Sequence, residues 1–230
     1  MNILEQIAAQ TRERIEAEKR QTPTEELIRQ IEAAEQKKSK QSFYEALKKP
    51  GMSYICEVKK ASPSKGLIAS DFPYLDIARE YEAAGASAIS CLTEPFRFLG
   101  KDAYLQEIAA QVEIPVLRKD FTVDEYMIYQ ACLLGASAVL LICAILDDAQ
   151  LRAYRELAES LGMDALVEAH DETEACRAAI SGARIIGVNN RDLKTFTVDI
   201  NNSARYRKMV PKEVAFVSES GIKTAEDIAK

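Results

Sequence analysis

The chain has 230 residues, 47% of them hydrophobic, and carries 36 acidic against 30 basic side chains for a net charge of −6. That length and apolar content suit one α/β domain with a full core, and the acidity excludes nucleic acid or an anionic membrane surface as the main partner. Five cysteines without a C-x-x-C pair read as buried, reduced thiols; with no apolar leader after Met1 and no apolar run near the ~20 residues that span a bilayer, a cytoplasmic location is expected.

Residues 1–50 are charge-rich and helical in period, and Thr22, Pro23 and Glu25 give a capping-box signal with proline at the first helical position. Two helices are predicted there, as an extension packing on a main domain of residues 51–230. Beyond Gly51, apolar runs at 54–58, 88–92, 116–117, 138–142, 165–167, 185–188 and 214–217 predict seven strands. Amphipathic stretches separate them, opened by cap pairs (Thr122 with Glu125, Asp147 with Gln150, Asp171 with Glu174) and closed by Gly85, Gly135, Gly162 and Gly182. The words AAGASAIS at 83–90 and LLGASAVL at 133–140 repeat the same helix end, glycine turn and strand start.

Such alternation implies a parallel sheet. The absence of G-x-G-x-x-G and of a P-loop favours a closed barrel over an open, doubly wound sheet. The expected fold is therefore α/β, a (β/α)8 TIM barrel with an N-terminal helical extension. A last cap signal, Thr224 with Asp227, opens a seventh helix shortly before Lys230. The expectation is that the eighth βα unit, about 25 residues on this repeat, is lacking, and that the chain is a monomer or associates through open strand edges.

The predicted strands finish in charged or amide residues: Glu57 and Lys59, Lys119, Glu168, Asn189, then Ser220. Ionisable groups at the ends of buried strands are costly unless paired or functional, and in a barrel all carboxyl ends converge on one mouth. Side chains alternate along a strand, so Glu57 and Lys59 share a side, either as a structural bridge or as an acid and base pair. Lys119 and Glu168, in a partly desolvated mouth, suit general acid and base chemistry.

Ser220 and Gly221, after the seventh strand, form either a plain turn or a phosphate cradle. Cations near strand ends (Lys59, Lys60, Lys65, Arg118, Lys119, Arg191) fit a small anionic substrate. His170, the only histidine, reads as a surface residue, and no ligand spacing supports a metal. Phe98 and Phe121, in loops, either sandwich a planar substrate or pack in the core.

The segments EVKKASPSKG, CLTEPFRFLG, VLRKDF, LVEAH, IGVNNRDL and VSESGI, in this order and spacing, resemble the indole-3-glycerol-phosphate synthase family of tryptophan biosynthesis. The resemblance covers essentially the whole chain. It implies closure of the indole ring of 1-(2-carboxyphenylamino)-1-deoxyribulose 5-phosphate, with loss of CO₂ and water and without cofactor or metal. It further implies Lys119 as the general acid at the substrate carbonyl, Glu168 as a base assisted by Asn189, and Lys59 with Glu57 in the later dehydration. Ser62 and Arg191 would line the site, Phe98 and Phe121 would pack near the anthranilate ring, and Glu219, Ser220 and Gly221 would form the seventh-strand corner, the last two at the phosphate. In the family a loop after the eighth strand completes the phosphate cradle, so the alternatives are an inactive fragment or another phosphate-binding barrel such as phosphoribosylanthranilate isomerase. Against the latter stands the EVKKASPSKG stretch.

Overall fold

The structure is a computed structural model and describes residues 2–34, 41–192 and 195–229. Helix α1 (Ile3–Gln21) starts on a true capping box, in which Asn2 Oδ1 accepts from Glu5 N and Glu5 Oε2 from Asn2 N, both at 2.9 Å. The box predicted at Thr22 and Glu25 does not form. Pro23 takes the cap position of α2 (Thr24–Ala33) with no side-chain bond, which leaves Thr22 one residue outside the helix. A third helix, α3 (Phe43–Leu47), follows, so among the described residues three rather than two precede the first strand.

The remaining elements are β1 (Ile55–Val58), the short antiparallel pair β2 (Ala61–Ser62) and β3 (Gly66–Leu67), α4 (Tyr74–Ala83), β4 (Ala88–Leu92), α5 (Asp102–Gln111), β5 (Val116–Lys119), α6 (Tyr126–Leu133), β6 (Ala138–Ile142), α7 (Asp148–Ser160), β7 (Asp164–Ala169), α8 (Glu172–Ile180), β8 (Ile185–Asn189), α9 (Asn201–Tyr206), β9 (Ala215–Glu219) and α10 (Ala225–Ala229). Strands β1, β4, β5, β6, β7, β8 and β9 form one curled, all-parallel sheet in chain order. These are the seven predicted strands. Among the described residues the sheet ends at β1 and β9.

Both faces of the sheet are buried, as a parallel sheet requires. Val58, Ile89, Cys91, Val139, Leu141, Val167 and Ile186 point outward into the helix layer. Ala88, Leu117, Ala138, Leu140, Leu166, Ile185 and Ala215 point inward and meet Leu4, Ile7 and Phe43 from the first helices. Phe43 is fully buried beside strand-start residues, a burial worth about 2–3 kcal/mol. Asp164, at the start of β7, holds it there by accepting from Ser42 Oγ at 2.8 Å and Tyr44 N at 2.9 Å. At the opposite, carboxyl end, α1 is tied down by Arg14 to Asp120 at 3.0 Å and Lys19 to Asp124 at 2.6 Å.

All five cysteines are free. Cys91 and Cys143 are buried, and burial pushes their thiols up to about 12; Cys176, expected inside, is exposed on α8. Among the described residues no helix is long and apolar enough to cross a membrane.

Candidate active site

The register puts Lys119 beside Leu92, Glu168 beside Ile142 and Glu219 beside Asn189. The side chains at the ends of β5, β7 and β9 nevertheless meet inside the curled sheet. Lys119 Nζ reaches Glu168 Oε2 at 3.2 Å and Glu219 Oε2 at 3.1 Å. Side-chain exposure is 18% for Lys119, 4% for Glu168 and 14% for Glu219, which leaves little solvent to screen the charges.

The two carboxyls are driven apart. Burial would raise Glu168, but Lys119 and the His170 ring outweigh it and hold Glu168 well below the usual carboxylate range. Burial also raises Glu219, and there it prevails: Lys119 pulls the other way, the Glu168 charge adds to the rise, and the group reaches about 7. Lys119 itself stays protonated, since Glu219 and Glu168 more than cancel its burial. One ionised and one protonatable carboxyl around a single ammonium is the division of labour that acid and base chemistry uses. Gly187 makes room for it, because a Cβ there would lie 2.1 Å from Glu219 Oε1.

A cavity of about 970 Å³ opens at this mouth, and the twelve residues that the family resemblance implies line it: Glu57, Lys59, Ser62, Phe98, Lys119, Phe121, Glu168, Asn189, Arg191, Glu219, Ser220 and Gly221. Glu57 and Lys59 lie on one side of β1 and pair with each other, as the alternation required. Ser62 Oγ accepts from Lys65 N at 3.3 Å and fixes the turn between β2 and β3. Asn189 Nδ2 sits 3.4 Å from Glu168 Oε1, while its Oδ1 accepts from Arg191 N at 3.1 Å. Ser220 has φ 68° and Gly221 φ 86°; the left-handed turn costs a serine about 1–2 kcal/mol, and such strain collects at functional sites.

Two expectations, for Arg118 and His170, need correction. Arg118 is not at the mouth: it is 2% exposed and turned into the helix layer, bonding Asp102 at 2.9 Å, Met127 O at 2.8 Å and Thr93 Oγ1 at 3.2 Å. Lys119 faces in, so its neighbour must face out. Phe98 and Phe121 lie side by side at a ring-centroid distance of 6.2 Å and make one apolar wall of the cavity. His170 is no surface residue; its side chain is 14% exposed and lies between Glu168 and Glu174.

Other residues escaped the sequence reading. Glu94 is fully buried and its carboxylate accepts from the N–H groups of Phe96, Arg97 and Phe98 at 2.7–2.8 Å, which shapes the loop that carries Phe98. Asn190, turned away from the mouth, brackets the β8 and β9 ends by donating to Ser218 Oγ at 3.0 Å and Ser220 O at 3.2 Å. Ile3, Leu4 and Ile7 of α1 line the cavity too. Among the described residues no cluster of His, Cys, Asp and Glu could hold a metal ion.

A family model described as indole-3-glycerol phosphate synthase matches residues 4–230. A protein of that name from Ruminiclostridium cellulolyticum is 55% identical over 227 residues, spanning 99% of this chain and 87% of the relative. Another, from Lacticaseibacillus paracasei, is 55% identical over 228 residues, again 99% and 87%. A third, from Thermoanaerobacter pseudethanolicus, is 47% identical over 226 residues, 98% and 85%. Among solved structures, the N-acetylmannosamine-6-phosphate 2-epimerase from Clostridium perfringens aligns with a TM-score of 0.57 at 14% identity, over 77% of this chain and 80% of that one. Thiamine phosphate pyrophosphorylase from Pyrococcus furiosus aligns at 0.50 and 17% identity, over 66% and 70%. These two likenesses concern the fold alone.

Proposed function

The chain belongs to the indole-3-glycerol phosphate synthase family, and from that premise we propose that Lys119, Glu168 and Glu219 are the acid and base centre of its reaction. The enzyme is a carboxy-lyase that closes the indole ring of 1-(2-carboxyphenylamino)-1-deoxyribulose 5-phosphate and releases carbon dioxide and water. No relative described above is a phosphoribosylanthranilate isomerase, and that alternative has no support.

The observation that carries the reading is the Lys119 ammonium within 3.2 Å of two carboxyls in one cavity. In the proposed course the ring carbon that bears the carboxylate attacks the substrate carbonyl, Lys119 gives its proton to the carbonyl oxygen, and the bond to the carboxylate breaks to release carbon dioxide and restore the aromatic ring. The loss of water that follows removes the new ring hydroxyl and a proton from the neighbouring methylene carbon; Glu168, kept ionised and braced by Asn189, takes that proton, and Lys59 and Glu57 serve the same dehydration. The apolar wall of Phe98 and Phe121 receives the anthranilate ring, Ser62 and Arg191 line the site, and Ser220 and Gly221 meet the phosphate. No metal, cofactor or nucleic acid enters this scheme. Residues 1–50 act as a helical extension on a barrel from residue 51, and the protein acts as a monomer or associates through the β1 and β9 edges. The five free thiols fit the reducing cytoplasm.

The test is direct because the chain has no tryptophan. Appearance of indole fluorescence on incubation with the carboxyphenylamino-deoxyribulose phosphate is the expected result, and its absence in folded protein would refute the reading. A pH dependence follows as well. Glu219 holds a proton below about 7 and loses it above, so a second negative charge then faces an anionic substrate. KM is expected to rise as pH passes 7 in the native protein and to stay level in Glu219→Gln; parallel profiles would show that Glu219 does not titrate there.

A further inference from the structure

His170 was left without a role by the sequence, yet its position is costly. It follows the last residue of β7, and its ring is inserted between two carboxylates, with Nε2 3.0 Å from Glu168 Oε1 and Nδ1 3.0 Å from Glu174 Oε2. The Nε2 contact lies outside hydrogen-bond alignment, so charge rather than a straight bond joins it to Glu168. Glu174 departs from its expected local duty. Asp171 Oδ1 caps α8 by accepting from Glu174 N at 2.8 Å, but the Glu174 carboxylate does not close the box on Asp171. It reaches one residue further back and accepts from His170 N at 2.8 Å as well as contacting the ring. A helix cap is thereby turned into a clamp on a histidine.

We infer that His170, as an imidazolium clamped by Glu174, is a positioning residue that keeps Glu168 ionised and aimed at Lys119. This rests on the reading of Glu168 as the base. Oε2 of Glu168 faces Lys119, while Oε1 is approached by both His170 and Asn189. A carboxylate held on every side by cations and an amide donor keeps one orientation and gives up its proton to acidic pH. The charged and titratable groups of the cluster are Glu168 on β7, Glu174 and Arg177 on α8, Cys143 after β6, Lys119 on β5 and Glu219 on β9. Burial would lower the His170 ring, but Glu168 and Glu174 outweigh it and raise it to about 10. The ring is thus charged throughout the neutral range.

Two measurements test this, and the first needs no substitution. With one histidine in the chain, its imidazole nitrogens are unambiguous by NMR, and both are expected to be protonated at pH 7.5; a neutral ring would overturn the inference. In the second, kcat, KM and their pH profiles are compared for the native protein, His170→Asn, Glu174→Gln and Glu168→Gln. Loss of the cation lets Glu168 keep its proton to higher pH, so His170→Asn is expected to lose at least tenfold in kcat at pH 6, with KM little changed, and to recover part of it by pH 8.5. Glu174→Gln is expected to shift the acid limb the same way by less. An equal loss at every pH, the mark of a merely structural role, would overturn the inference, as would an unmoved limb. Full loss in Glu168→Gln beside a native profile in His170→Asn would sink the inference alone, whereas native turnover by Glu168→Gln would sink the reading of Glu168 and the inference with it.

Discussion

Replacement of Lys119 by alanine is expected to lower kcat by about 10²- to 10⁴-fold, the range of a positioned general acid. The effect has two sources. The proton donor at the carbonyl disappears, and Glu168 and Glu219 lose the ammonium that both contact at 3.2 and 3.1 Å. Two buried carboxyls left facing each other relieve their repulsion by binding a proton, so the base is compromised along with the acid. The same uptake preserves the fold. A carboxyl whose value is raised in the folded state contributes stability that fades as pH rises through that value, so Lys119→Ala should melt further below the native protein at pH 8 than at pH 6. Lys119→Arg separates charge from proton transfer: it restores the melting temperature but not kcat, because a guanidinium does not give up its proton. Native-like turnover by folded Lys119→Ala would sink the assignment.

Glu168→Gln is expected to lose a similar 10²- to 10⁴-fold in kcat with a much smaller change in KM. The amide is nearly isosteric and keeps an oxygen toward Asn189 Nδ2, now at 3.4 Å, but it cannot take a proton. An interaction made in the transition state shows in kcat, and one made equally with bound substrate shows in KM. A loss confined to KM would make Glu168 a binding residue.

The fold was legible wherever one rule sufficed. Apolar runs marked all seven strands of the sheet, and the polar residues Lys119, Asn189 and Glu219 are the final residues of β5, β8 and β9. Period-two alternation placed Glu57 and Lys59 together. Applied to β5, the same rule excludes Arg118 from the mouth once Lys119 is in it, and its five-partner burial would have followed. The candidate site was legible through motif resemblance, since twelve residues from six separate segments converge on one cavity. What stayed hidden depends on contacts distant in sequence or on a side chain's choice of partner. Nothing local tells that Glu94 turns inward to three loop N–H groups, that α1 lends Ile3, Leu4 and Ile7 to the cavity, or that Glu174 prefers His170 to its own helix cap.

The central claim is that Lys119 and Glu168 act as one unit. A double-mutant cycle over the native protein, Lys119→Ala, Glu168→Gln and the double variant, read as kcat by indole fluorescence at one pH, tests it most directly. Residues of one catalytic unit are strongly non-additive, so the double variant should be no more than about tenfold slower than the slower single variant. Losses that multiply in full would mean that the two side chains work independently, in contradiction of the shared site described here.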